Sequence, residues 1–264
     1  MPVLAVIPAR LGATRLPRKP LRLLGGEPIV VRVYQRVVHL GVADHCVVAT
    51  DHPEVHEACT RRGIPVVMTR DDHPSGTDRV AEVATRPEFS SFDVLLNVQG
   101  DEPFVSGEAL AGAVQVVTSG LAPIGTAAVP IPVEAQSRPD VVKVVCADDR
   151  RALYFSRAPI PWLRDPSETA ILAPLVRQHV GVYAYARHAL QQWVTWPPHA
   201  LELIERLEQL RPLAHGLPIG VVTVQATEGG IDTEDDLVRA NTHWDVLHAP
   251  PAVPANTPSA HRTA

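Results

Sequence analysis

The chain has 264 residues, enough for one large domain or one domain with a lobe grown from it. Hydrophobic residues make up 45%, ample for a packed core, and the net charge of −5 argues against a protein built for the nucleic-acid backbone. No apolar run reaches the roughly 18–20 residues of a membrane-spanning helix.

In chain order, the run VLAVIP (Val3 to Pro8) reads as a buried strand, followed by a basic loop containing Gly and Pro. Residues 28–40 repeat apolar positions at helical spacing, and Cys46 to Thr50 is a second strand ending on Asp51. Pro53 to Arg62 has helical spacing, with Pro in its first turn and Gly63 at its end. Ile64 to Met68 is a third strand, Thr77 to Arg86 a helix, Asp93 to Val98 a fourth strand and Gly107 to Thr118 another helix. This alternation predicts βαβ units and a mainly parallel sheet. Ligands bind beyond the carboxyl ends of such strands, which gathers the loops 9–19, 50–52, 70–79 and 99–103.

From about residue 123 the pattern changes. IGTAAVPIP, VVKVVCA and Val176 to Ala186 read as strands of a more mixed sheet, joined by the proline-rich SRAPIPWLRDP, and predict an antiparallel extension. Helices are expected over 188–195 and 200–213, then a strand IGVVTV, then a helix starting near Thr233, where T-E-D-D supplies a cap and first-turn acids. The expected division is a single domain over 1–249. Its two parts cover about 1–122 with 215–249 and about 123–214, and a disordered tail rich in Pro, Ala, Ser and Thr follows from 250 to 264.

Three segments carry the sharpest candidate chemistry. A fourth group (SGTDR, SRAPIP, HVGVYAY and LEQLR) sets polar groups in apolar surroundings, where His179 alone reads as a hydrogen-bonded structural histidine and Glu208 alone as a solvated helix face. PARLGATRLPRKPL (Pro8 to Leu21) sets Arg10, Arg15, Arg18 and Lys19 around Gly12 just after a strand, which suits a triphosphate or reads as a solvated basic turn. It is neither G-x-x-x-x-G-K-[ST] nor G-x-G-x-x-G. NVQGDEP (Asn97 to Pro103) ends a buried strand on Gly and Asp-Glu. Asp101 there is either a Mg2+ ligand beside phosphates or a solvated turn acid. In GGIDTEDDL (Gly229 to Leu237), Asp232 is a helix-capping acid, or a second metal ligand if Asp101 lies near. Only Lys19 and Lys143 among the 24 cationic residues are lysines, a bias of codon usage or a need for a compact ammonium beside the basic loop. Cys46, Cys59 and Cys146 have neither metal-ligand nor disulfide-framework spacing, and MPVLAVIPAR lacks a secretory signal, so a reducing, cytoplasmic setting is expected.

Taken in order, IPARLGATRLPRKPL, VATD, MTRDDHPSGTDRVAEV, NVQGDEP, VVKVV, ALYFSRAPIPW, HVGVYAY, LELIERLEQLR and GIDTEDDL resemble the 3-deoxy-manno-octulosonate (Kdo) cytidylyltransferases, or CMP-Kdo synthetases, from about residue 3 to 240. The resemblance implies a Rossmann-like nucleotidyltransferase fold of the glycosyltransferase-A-like kind: an α/β fold with a mixed central sheet, a nucleotide-binding part over about 1–122 and 215–249, and a smaller antiparallel sugar-binding and dimerisation extension over about 123–214. It implies a homodimer that uses Mg2+ and converts CTP and Kdo to CMP-Kdo and pyrophosphate for lipopolysaccharide-type glycans, with no nucleic-acid or membrane partner. Carried over by position, Ala9, Arg10, Arg15, Lys19, Ser75, Gly76, Arg79 and Gln99 would bind the nucleotide, with Lys19, Arg10 and Asp101 catalytic. Asp101 and Asp232 would hold Mg2+, while Gln99, Arg157, His179, Tyr183, Glu208 and Gln209 would form the sugar pocket.

Such a reaction depends on positioning and charge neutralisation rather than on a covalent intermediate. The chain departs from the family where Arg18 replaces the usual Gly, which implies an added phosphate contact, a solvated side chain or a changed backbone. R-P-D at Arg138 to Asp140 and GIDT are further departures that remove no functional group. Activation of another acidic sugar (an amino-Kdo or a nonulosonate) and a non-catalytic nucleotide-binding protein of the same fold remain open. A dinucleotide oxidoreductase is disfavoured by the missing glycine fingerprint.

Overall fold

A computed structural model describes residues 1–12, 15–225 and 229–248, so the tail expected to be disordered lies outside the described residues. The first half follows the predicted alternation. Strands β1 (Val3–Ala9), β4 (His45–Thr50), β5 (Val66–Met68) and β6 (Val94–Asn97) are connected by helices α1 (Ile29–Leu40), α2 (Pro53–Thr60) and α3 (Gly76–Ala84). A two-residue hairpin, β2 (Leu23–Leu24) with β3 (Glu27–Pro28), precedes α1. Helix α4 (Gly107–Thr118) leads into β7 (Ile124–Pro130). Each helix lays an apolar stripe on the sheet: Ile29, Val30, Val33 and Val37 of α1 are buried, and so are Val80, Ala81 and Val83 of α3.

The second half builds β8 (Lys143–Cys146), β9 (Ala152–Ser156) and β10 (Arg177–Ala186), then α5 (Thr169–Leu172), α6 (Arg187–Thr195), α7 (Ala200–Glu205), α8 (Leu210–Ala214), β11 (Ile219–Thr223) and α9 (Glu234–His248). Two features differ from the sequence reading. ALYFS forms β9, although the proline-rich stretch just after it suggested only a connection. The helix expected over 200–213 is two, because Arg206 takes a left-handed conformation (φ 56°) that ends α7.

The nine-stranded sheet runs β11-β7-β10-β6-β1-β4-β5, with β8 and β9 branching from β10. β1 pairs in parallel with β4 and β6, β4 with β5, and β7 with β11. β10 is antiparallel to both β6 and β7. Leu4, Ala5, Val6 and Ile7 of β1 are fully buried, which marks this strand as the core of the sheet. The chain leaves β1 toward β4 on one side and reaches β6 on the other, so a crevice opens beyond their carboxyl ends. Because β10 runs the opposite way, its first half comes to that same end, with Tyr183 opposite Asn97. Among the described residues, no helix is long and apolar enough to cross a membrane.

Candidate active site

Two adjoining cavities occupy this end of the sheet. The larger, about 380 Å3, is lined by the loop after β1 (Ala9, Arg10, Gly12, Arg15, Lys19), the start of α3 (Ser75, Gly76, Arg79), the loop after β6 (Gln99, Gly100, Asp101), and Asp232. The smaller, about 220 Å3, is lined by Thr77, Asn97, His179, Gly181, Tyr183, Trp193, Arg206, Leu207 and Gln209. Gly76, Gln99 and Glu208 line both.

The loops meet closely because Gly100 lacks a side chain: a Cβ there would stand 2.6 Å from the Pro8 carbonyl oxygen. Backbone at 231 joins them, with the Ile231 amide donating to the Asp101 carbonyl at 2.9 Å. Asp232 is then set by the entry to α9, where the Asp236 carboxylate accepts from the amides of Asp232 (3.0 Å) and Thr233 (2.8 Å).

Asp101 and Asp232 converge on Lys19, whose Nζ donates to Asp101 Oδ2 at 2.6 Å and Asp232 Oδ1 at 2.7 Å. Burial works against the Lys19 ammonium, but the two carboxylates outweigh it and hold its pKa above the ordinary lysine value. Arg15 pairs with the other Asp232 oxygen at 3.0 Å from a largely exposed position, and Arg10 is exposed at the rim. Glu102, beside this pair, is pushed up to about 8 by burial and by the charges of Asp101 and Asp232.

Ser75 caps α3, accepting from the Asp78 amide and donating to its carboxylate at 2.7 Å, so a helix N-terminus faces the larger cavity. Arg79 lines the cavity but is committed elsewhere: it donates to Asp51 Oδ2 at 2.9 Å, to the Arg70 carbonyl and to Thr69. Arg79 thus ties the loops after β4 and β5 to α3.

In the smaller cavity, Thr77 donates to Glu208 at 3.0 Å, and burial leads the influences that raise the Glu208 carboxyl. Burial lowers His179 to about 3 and raises Tyr183 well above the ordinary phenol. Gln209 is buried beside them. Arg157 is the one proposed sugar ligand that lines neither cavity. Its guanidinium donates to the carbonyls of Glu205 (2.8 Å), Pro139 (3.0 Å) and Arg206 (3.5 Å). Arg18 turns away too: it pairs with Glu54, on a left-handed backbone (φ 59°) of the kind glycine takes at no cost.

Sequence reasoning passed over Asn97, Trp193, Arg206 and His73, which also line the cavities. Asn97 was within reach, as the last residue of a buried strand inside a motif already singled out. Trp193 and Arg206 carried no local signal, because α6 and the α7 end reach the cavity only through packing.

Residues 4–219 match the protein family described as Cytidylyltransferase. The 3-deoxy-manno-octulosonate cytidylyltransferase of Gemmatimonas aurantiaca is 86% identical over 264 residues, covering 100% of both chains. That of Herminiimonas arsenicoxydans is 46% identical over 247 residues, 90% of this chain and 97% of its own. A CMP:2-keto-3-deoxy-manno-octonic acid synthetase structure, complexed with CTP, superposes with a TM-score of 0.86 at 37% identity, covering 94% of this chain and 100% of its own. The chain belongs to the cytidylyltransferase family, among the 3-deoxy-manno-octulosonate cytidylyltransferases.

Proposed function

We propose that this chain transfers CMP from CTP to the anomeric hydroxyl of Kdo, releasing pyrophosphate, in the cytoplasm and as a homodimer, for lipopolysaccharide-type glycans. One observation carries the reading: a cavity rimmed by cations and holding a carboxylate pair opens into a second cavity of buried polar groups, and Gln99 lines both. The names of the relatives support the same nucleotide and sugar.

The residues fit a divalent cation. Asp101 and Asp232 both reach one ammonium, so a positive charge already sits between them. Among the described residues no cluster of three or more His, Cys, Asp or Glu could hold a metal. A cation bound by these two carboxylates would therefore complete its shell with phosphate oxygens and water, as Mg2+ does. When bound, Mg2+ supplies charge neutralisation on the transferring and leaving phosphates.

Lys19 would pass from its carboxylates to phosphate oxygens as the nucleotide enters, and the exposed guanidinium groups of Arg10 and Arg15 would hold the outer phosphates. Ser75 and Gly76 would abut the nucleotide at the α3 N-terminus. In the smaller cavity His179, Tyr183, Glu208 and Gln209 would hold the sugar, with Gln99 between the substrates. The sugar oxygen then forms its bond to the α-phosphorus as the α–β phosphoanhydride bond breaks and pyrophosphate leaves. Arg157 would reach the sugar carboxylate only on leaving its three carbonyls, whereas Arg206 already lines that cavity.

The test is pyrophosphate release from CTP with Kdo and Mg2+, with UTP, ATP and N-acetylneuraminate as controls. Release should require CTP, Kdo and Mg2+ together and stop with EDTA. Asp101→Asn should lower kcat/KM on the order of a hundredfold or more. Release with N-acetylneuraminate and none with Kdo would replace the sugar in this reading.

A further inference from the structure

The ladder between β7 and β10 breaks at the smaller cavity. Val180 pairs with Ala127 and Tyr183 with Thr126, which leaves Gly181 and Val182 outside the register as a bulge. A bulge strands backbone carbonyls, and a buried carbonyl needs a donor. Thr126, fully buried opposite the bulge, supplies it: its Oγ1 lies 2.7 Å from the Val182 oxygen and 3.2 Å from the Val180 oxygen. The same Oγ1 lies 3.0 Å from His179 Nε2.

A hydroxyl has one proton, and a carbonyl can only accept. The Thr126 proton is therefore committed to the bulge, and its oxygen can meet His179 only as an acceptor. Nε2 must carry the hydrogen. Burial keeps the ring neutral, so Nδ1 holds a lone pair. Phe155 and Tyr183 flank the ring, with centroids 5.0 and 5.3 Å away, and no donor reaches Nδ1 among the described residues.

We propose that Thr126 is a positioning residue that locks His179 in the Nε2–H tautomer, reserving Nδ1 as a hydrogen-bond acceptor for a sugar hydroxyl. The proposal rests on the reading of this cavity as the sugar site. Its neighbours agree in character. The Asn97 amide nitrogen is directed to the Tyr185 hydroxyl at 3.5 Å, and its Oδ1 is buried without a partner. The Glu208 carboxyl lines the same cavity. These acceptors suit the hydroxyl-bearing arm of an acidic sugar, while Arg206 in the same cavity is the cation for its carboxylate.

The test uses full-length protein with 15N-labelled histidine, assigned through His179→Gln. At neutral pH the His179 spectrum should show Nε2 protonated and Nδ1 bare. Addition of Kdo, with a non-hydrolysable CTP analogue and Mg2+, should shift Nδ1 in the sense of hydrogen-bond acceptance. Thr126→Val, which keeps the shape and loses the hydroxyl, should mix the tautomers and raise KM for Kdo on the order of tenfold, leaving KM for CTP unchanged. Thr126→Ser should restore both the tautomer and KM. A wild-type ring protonated at Nδ1, or an Nδ1 resonance indifferent to bound Kdo, overturns the proposal. So does Thr126→Val with unaltered tautomer and KM. Should Thr126→Val fail to fold, the wild-type and Thr126→Ser spectra still decide. Absence of Kdo turnover in the wild type would instead strike the functional reading, while the free-protein spectrum still reports the tautomer.

Discussion

Arg18 shows how one residue is decided by its surroundings. A left-handed backbone costs a non-glycine residue about 1–2 kcal/mol, and the loop retains it with Arg18 paired to Glu54 instead of lining either cavity. The residue scale also yields a pH dependence. The buried His179 imidazole titrates at about 3 in the fold against an ordinary 6.5. Between those values the unfolded chain binds a proton that the folded chain refuses. The contribution of His179 is thus complete above about pH 6.5 and is lost as pH falls toward 3. His179→Gln, which keeps a side-chain amide for Thr126, should therefore lose less Tm than the wild type between about pH 6.5 and 4. Calorimetry that gives parallel curves would show that the ring is protonated within the fold.

At the scale of elements, α4 lies hard against β7 and β11. A Cβ on Gly125 would lie well inside contact distance of the Ala113 carbonyl, and one on Gly112 would lie 2.6 Å from Val222 Cγ1. Gly125→Ala should force α4 off the sheet at a cost of about 1–3 kcal/mol. Thermal unfolding should register a drop of several degrees, and an unchanged Tm would mean the helix yields freely. The break between α7 and α8 has a comparable logic. Arg211 donates to both Glu202 oxygens, at 2.6 and 2.8 Å, so a buried pair spans the left-handed turn at Arg206. That turn presents Arg206, Leu207, Glu208 and Gln209 to the cavity. An uninterrupted helix over 200–213, as its periodicity suggested, would have aimed these side chains differently.

For the whole molecule, the open question is what covers the extension. Among the described residues β9 pairs with β8 alone, and Leu153 on β9 stands exposed, as do Trp162, Ile171 and Leu175 in the segment that leads to β10. An unpaired edge beside apolar side chains is a surface that soluble chains cover. In the proposed homodimer a second copy would do so. Sedimentation should then give twice the chain mass for the wild type and a shift toward one chain mass for Trp162→Asp. A wild type that sediments as a single chain would remove the homodimer from the reading.

Much of this molecule was legible from its residues alone. The alternation of strands and helices up to α4, the cationic loop after β1 and the acids at Asp101 and Asp232 follow from local periodicity and charge, because those are properties of neighbouring residues. The ordered motifs carried the family. Tertiary structure decided the rest, since strand order and register depend on pairing between distant segments. The changed pattern after residue 123 predicted antiparallel strands, but nothing near β10 announces that it inserts between β6 and β7, and that placement brings His179 and Tyr183 to the carboxyl ends of β1 and β6. Only folding closes Asp101 and Asp232 on a single ammonium, ties Arg157 to three carbonyls outside the cavities, and gives Thr126 the bulge whose carbonyls fix its proton.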